Sequence, residues 1–154
     1  MPLTQAEADQ LLQMPKVFLE RDPIEFSLNE PMDYDRVLRS ADRREEFLLT
    51  IERGRRRRIR LKYQTRARRV IVLVRLELNG PRHKNPADSP YKPGQWISDT
   101  HIHLYREGFD DKIAYELMDA PGWTGGTDSD GVAALESFMS FCGITQWPPI
   151  QIAL

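Results

Sequence analysis

Val70-Ile71-Val72-Leu73-Val74-Arg75-Leu76-Glu77-Leu78 decides the fold of this 154-residue chain. Its β-branched and aliphatic side chains favour extended backbone. A period of two puts Val70, Val72, Val74, Leu76 and Leu78 on one face. Ile71 and Leu73 fall on the other, so the first half is predicted to be central and covered on both sides. Asn79-Gly80-Pro81 ends the strand.

Further strands read outward from it. Phe47 to Glu52 is one, turned by Arg53-Gly54. Arg58, Arg60 and Lys62 alternate with Ile59, Leu61 and Tyr63, which predicts a strand with a cationic and an apolar face. Val17-Phe18-Leu19 and Ile24 to Leu28 are short strands, and residues 29–45 read as polar connection. Downstream, 80–100 reads as a loop with four prolines, a length that is uncommon unless functional or disordered. His101 to Arg106 and Ile113 to Met118 follow as strands. Thr4-Gln5-Ala6-Glu7 is a capping box for a helix that ends by Met14, before Pro15. Thr127 to Asp130 repeats the capping pattern. Val132, Leu135, Phe138, Met139 and Cys142 form one helical stripe, stopped at Gly143. Trp147 to Leu154 reads as an extended arm or edge strand. The expectation is one α+β domain over residues 1–154: a mostly antiparallel meander of five to seven strands with a helix near each end.

Composition narrows the class. Hydrophobic residues make up 40% and charged residues 29%, as in a soluble globular domain. No apolar run is long enough to span a bilayer. The acidic N-terminus is unlike a signal or transit peptide. Cys142, the single cysteine, excludes an internal disulfide and fits a reducing cytoplasm. The net charge of −1 hides an asymmetry: Arg53 to Arg69 holds ten basic residues and no acidic one, and 12 Lys/Arg face 23 Asp/Glu elsewhere. This favours an anionic partner met through oriented electrostatics; the alternative is that acidic neighbours neutralise the arginines in the fold.

The residues that could carry chemistry lie in two strands. With Ile102 and Leu104 in the core, His101, His103 and Tyr105 share the polar face, as Arg58, Arg60 and Lys62 do on theirs. Imidazoles can act as acid and base near neutral pH, and cations stabilise phosphate charge. That set suits cleavage of RNA without metal or cofactor. His83, Arg82 and Lys84 precede the His strand and extend the candidate site. Tyr63, Tyr91, Trp96 and Tyr105 are candidates for stacking bases. A competing metal site would draw on His83, His101 and His103 with Asp88, Asp99 or Asp110, but His-x-His alone is a low-specificity pattern. The structural alternatives are ordinary polar-face histidines and a solvated, charged edge strand. Gly122 to Thr127 lacks the lysine of a phosphate-binding loop and reads as a flexible loop.

Arg82-His83-Lys84-Asn85-Pro86, followed by His101-Ile102-His103-Leu104-Tyr105-Arg106-Glu107-Gly108 and Asp111-Lys112, resembles a family of small uncharacterised bacterial proteins. The similarity extends over most of the chain. Here the segment between the His-Lys-Asn-Pro loop and the His-x-His strand is longer, through Asp88 to Thr100. The resemblance implies a shared fold and no mechanism.

Three function classes remain open on sequence. One is an RNA-directed protein, in its sharpest form a metal-independent toxin-type ribonuclease. Another is a non-catalytic inhibitor or adaptor of a phage or defence context, docking on a protein or nucleoprotein through charged surfaces. The third is a metal-dependent enzyme using the His cluster. None involves a membrane.

Overall fold

The computed structural model describes residues 2–127 and 130–154. Thr4 caps α1 (Gln5–Gln13) through both bonds of the predicted box: the Glu7 amide donates to Thr4 Oγ1 (3.1 Å) and the Thr4 amide to Glu7 Oε1 (3.0 Å). The strands are β1 (Lys16–Phe18), β2 (Ile24–Ser27), β3 (Met32–Ser40), β4 (Glu46–Arg53), β5 (Leu61–Ala67) and β6 (Ile71–Leu78). They continue with β7 (His83–Lys84), β8 (Trp96–Ile97), β9 (His101–Leu104) and β10 (Ala114–Glu116). The helix α2 (Val132–Phe141) and the strand β11 (Ile150–Ala153) complete the chain. Seven strands form an antiparallel sheet in the order β1-β3-β4-β5-β6-β9-β10. The fold is α+β, with a helix near each end of the chain. β2 leaves the sheet to pair in parallel with β11, and β7 pairs with β8 in a separate ribbon.

One face of the sheet carries the apolar core. Phe47, Leu49, Ile51, Tyr63, Val74, Leu76 and Ile102 are fully buried there with Leu135, Phe138 and Met139 of α2. The rings of Tyr63 and Phe138 lie 6.0 Å apart. The opposite face is polar, and the strand register places its residues in rows. One row runs Asp35, Thr50, Gln64, Arg75, His103; the next runs Asp33, Glu52, Lys62, Glu77, His101.

Several sequence expectations need correcting. Residues 29–45 are not simple connection: β3 is a nine-residue strand. Its period of two was masked because Arg36 occupies a core-side position, lying over the Phe18 ring and donating to the carbonyls of Glu20, Asp22 and Pro23. The strand predicted from Arg58 begins only at Leu61; Arg58 and Arg60 belong to the preceding turn. Val70 lies outside β6 and is 77% exposed. A register shift pairs Thr65 with Val74 but Arg66 with Val72, so Leu73 has no opposite residue. This bulge interrupts the single face expected for Val70 to Leu78, and both Leu73 and Val74 become buried. The proline-rich 80–100 segment carries the β7–β8 ribbon rather than lacking structure. The cap of α2 is Gly131 at φ 86°, with Asp130 Oδ1 accepting from the Val132 amide (3.0 Å). The expected capping box from Thr127 spans residues 128–129, outside the described residues.

Candidate nucleic-acid interface

The β7–β8 ribbon lies over the polar face and has two sides of its own. His83 pairs with Ile97, and Lys84 with Trp96. By alternation His83 and Ile97 share one side, while Arg82, Lys84 and Trp96 share the other. Ile97 is fully buried, whereas Arg82, Lys84 and Trp96 are exposed. The inner side is fastened by Asn85, which is 2% exposed. Its amide accepts from the Ala114 N–H (2.9 Å) and donates to the Ala114 carbonyl (3.0 Å), the pairing a neighbouring strand would make. A third bond runs to the Tyr91 carbonyl (3.1 Å).

Beneath this cover the three histidines meet. The rings of His83 and His103 are 4.7 Å apart, those of His101 and His103 4.9 Å, and those of His83 and His101 6.1 Å. His101 Nδ1 donates to the Ser98 carbonyl (2.6 Å), and His103 Nδ1 to the Asp111 carbonyl (2.8 Å). His83 Nε2 donates to the Lys112 carbonyl (2.7 Å). A carbonyl only accepts, so each imidazole must place its proton on the bonded nitrogen. His101 and His103 are each 2% exposed. Burial pushes His103 down to about 2, helped by the Arg75 guanidinium in the adjacent strand. Burial also lowers His101, opposed by its bond to Ser98. At neutral pH both are neutral and tied to the backbone.

Tyr105 is not part of this cluster. Its hydroxyl donates to the Leu3 carbonyl (2.8 Å) and accepts from the Leu3 amide (2.9 Å). Its side chain lines a cleft of about 1070 Å³ between α1, α2 and the Pro121–Gly125 segment. Among the described residues no three His, Cys, Asp or Glu side chains come together as a metal-ligand set.

The basic stretch divides in two. Arg60 pairs with Glu77, Lys62 with Glu52, Arg66 with Asp35, Arg68 with Glu45 and Arg69 with Glu46. Arg58 reaches Glu30 at 3.7 Å and donates to the Asn29 carbonyl. Arg53 is 4% exposed and donates to the carbonyls of Ser27, Arg58 and Asp130. That leaves Arg55, Arg56 and Arg57, which are exposed and carry no ion pair among the described residues. They form the tip of the β4–β5 turn. Arg53 holds the turn from inside, and a Cβ on Gly54 would meet the Arg57 carbonyl oxygen at 2.5 Å, so only glycine fits.

Asn79 Nδ2 donates to the Ile59 carbonyl (3.2 Å), tying the turn to the segment that leads into β7. Ile59 is 56% exposed, as is Trp96, and the Arg82 guanidinium lies 5.3 Å from the Trp96 ring centre. The turn bearing Arg55, Arg56 and Arg57 and the β6–β9 connection bearing Arg82, Lys84 and Trp96 therefore lie at the same end of the sheet. Sequence reasoning found Arg82, Lys84 and Trp96 but missed Arg55 to Arg57. Their signal is a run of arginines straight after a glycine, without the alternation that marks a strand.

The chain matches the family of unknown function DUF6978 over residues 3–144. It belongs to that family. The match includes the ribbon, the His strand and α2, so the whole interface lies inside the family's extent. No curated protein and no solved structure matches the chain. Among the described residues, no helix is long and apolar enough to cross a membrane.

Proposed function

We propose that this protein is RNA-directed and binds an RNA backbone through Arg55, Arg56, Arg57, Arg82 and Lys84, without cutting it. The observation that carries this reading is the contrast between paired and unpaired cations. Most of the basic stretch is neutralised by acidic neighbours, while three consecutive arginines are exposed on a turn at the same end of the sheet as the exposed Arg82 and Lys84. Phosphate contacts from such groups supply most of the affinity for nucleic acid. Catalysis by His101 and His103 has less support. General acid–base cleavage needs a group that exchanges protons near pH 7 within reach of the substrate. His103 stays neutral there with its one ring proton committed to the Asp111 carbonyl, and both rings are buried.

Fluorescence anisotropy with a labelled 20-nucleotide RNA, across about 50 to 300 mM salt, tests the reading. The expected result is a log Kd that rises linearly with log salt. The Arg55→Glu/Arg56→Glu/Arg57→Glu variant is expected to show a slope smaller by about 2 to 3. No binding by a folded wild-type protein would refute it. Cleaved RNA would restore the ribonuclease reading.

The contact of three imidazoles keeps the ribonuclease as the second reading. It predicts cleavage that survives chelator and is lost in His101→Gln and His103→Gln, whereas the binding reading predicts intact RNA with every variant.

A further inference from the structure

This end of the sheet has a feature that phosphate binding alone does not require. Trp96 is a large apolar side chain, 56% exposed, on the outward side of a two-stranded ribbon. Its ring sits beneath the Arg82 guanidinium and directly opposite Lys84 in register. The neighbouring Ile97 points inward and is fully buried, which sets the outward direction of Trp96. The ribbon is fastened to β10 by the two bonds between Asn85 and Ala114, which hold the strand that carries the indole's partner Lys84.

Resting on the RNA-directed reading, we infer that Trp96 is a stacking platform for an unpaired base, and that the preferred ligand is a single strand. Aromatic faces bind bases regardless of sequence, because every base has a π-face. In a duplex those faces are already stacked on their neighbours, so an exposed indole meets only sugars and phosphates. Arg82 and Lys84 flank the ring and take the phosphates on either side of the stacked nucleotide. Arg55, Arg56 and Arg57, at the same end of the sheet and tied to this segment through the Asn79–Ile59 bond, bind further phosphates of the strand. The same chemistry serves single-stranded RNA and DNA, which differ here only by the 2′-hydroxyl.

The test compares a 15-nucleotide RNA strand, the DNA strand of equal sequence and the RNA duplex of equal length. Each is titrated by anisotropy against the wild-type protein, Trp96→Ala and Trp96→Phe. Both variants change an exposed side chain, and circular dichroism checks that they fold. The expected result is tighter binding of single strands than of duplex. Trp96→Ala weakens single-strand binding about tenfold, Trp96→Phe restores most of it, and the salt slope stays the same. A DNA strand that binds as well as RNA assigns the site to the shared base and phosphate chemistry; a weaker one adds a role for the 2′-hydroxyl. Equal affinity for duplex and single strand, or no loss in Trp96→Ala, overturns the stacking inference while leaving the backbone reading intact. Failure of every polynucleotide to bind removes both.

Discussion

The two sides of the β7–β8 ribbon carry the same kinds of residue to opposite ends. On the inner side, the half-buried His83 joins the buried His101 and His103, and each ring donates to a backbone carbonyl. On the outer side, one residue away, Arg82, Lys84 and Trp96 face solvent. A single alternation along two short strands separates a group that stabilises the fold from a group free to meet a partner. Polar residues close in sequence are thus poor evidence of a common site. What decides is whether their bonding capacity is already used. His101 and His103 have a fixed tautomer and lowered basicity; Arg82 and Lys84 stand open to solvent.

The largest effect expected from breaking this contrast is on the outer side. Reversing Arg55, Arg56 and Arg57 together is predicted to weaken RNA binding about 100-fold near 0.1 M salt, or about 2.7 kcal/mol, with the urea midpoint unchanged. Anisotropy and urea denaturation on one preparation check both halves. Next comes the inner side. Asn85→Ala removes the partner of a buried N–H and of two carbonyls and is predicted to cost about 2 kcal/mol of stability. Chemical denaturation reads the loss, and a midpoint equal to wild type would mean that the ribbon is not fastened there.

A smaller effect sharpens the comparison through pH. His103 titrates at about 2 in the fold, against an ordinary value of 6.5 in the unfolded chain. Between those values the unfolded state binds the proton and the folded state does not, so stability falls as pH drops below 6.5. Above 6.5 the contribution is complete. Each such histidine contributes at most about 1.4 kcal/mol per pH unit, and His101 adds to the slope in the same direction. Denaturation at pH 7.0 and 5.5 measures it, and His103→Gln is expected to flatten it. The smallest effect is at the paired cations. Lys62→Met breaks the 3.6 Å pair with Glu52 and is predicted to change stability by less than about 1 kcal/mol and RNA affinity by less than twofold. A larger loss of affinity would place the polar face of the sheet, rather than its end, in contact with RNA.

The meander, both helices and the His strand were legible in sequence because each rests on local pattern: a period of two, a capping box, a helical stripe. β3 escaped because Arg36 stands at a core-side position of the alternation, where its guanidinium lies over the Phe18 ring. The Leu73 bulge escaped because an extra residue leaves no mark in a run of valine and leucine. The site was harder still. Whether an arginine is free depends on partners such as Asp35 for Arg66 or Glu45 for Arg68, which sequence places 31 and 23 residues away and only the strand register brings close. Burial of the histidines depends on Asn85 docking against Ala114, a contact across 29 residues. No periodicity encodes either one.

The measurement that most directly tests the split between the two sides is a long-range ¹⁵N NMR titration of the histidine rings. It reports tautomer and protonation for each imidazole. The account predicts that His101 and His103 both carry their proton on Nδ1 at pH 8, and that His103 stays neutral down to pH 5.5. Protonation of His103 within that range, or a proton on Nε2 of either ring, would contradict a buried structural cluster and return the histidines to the candidate active site.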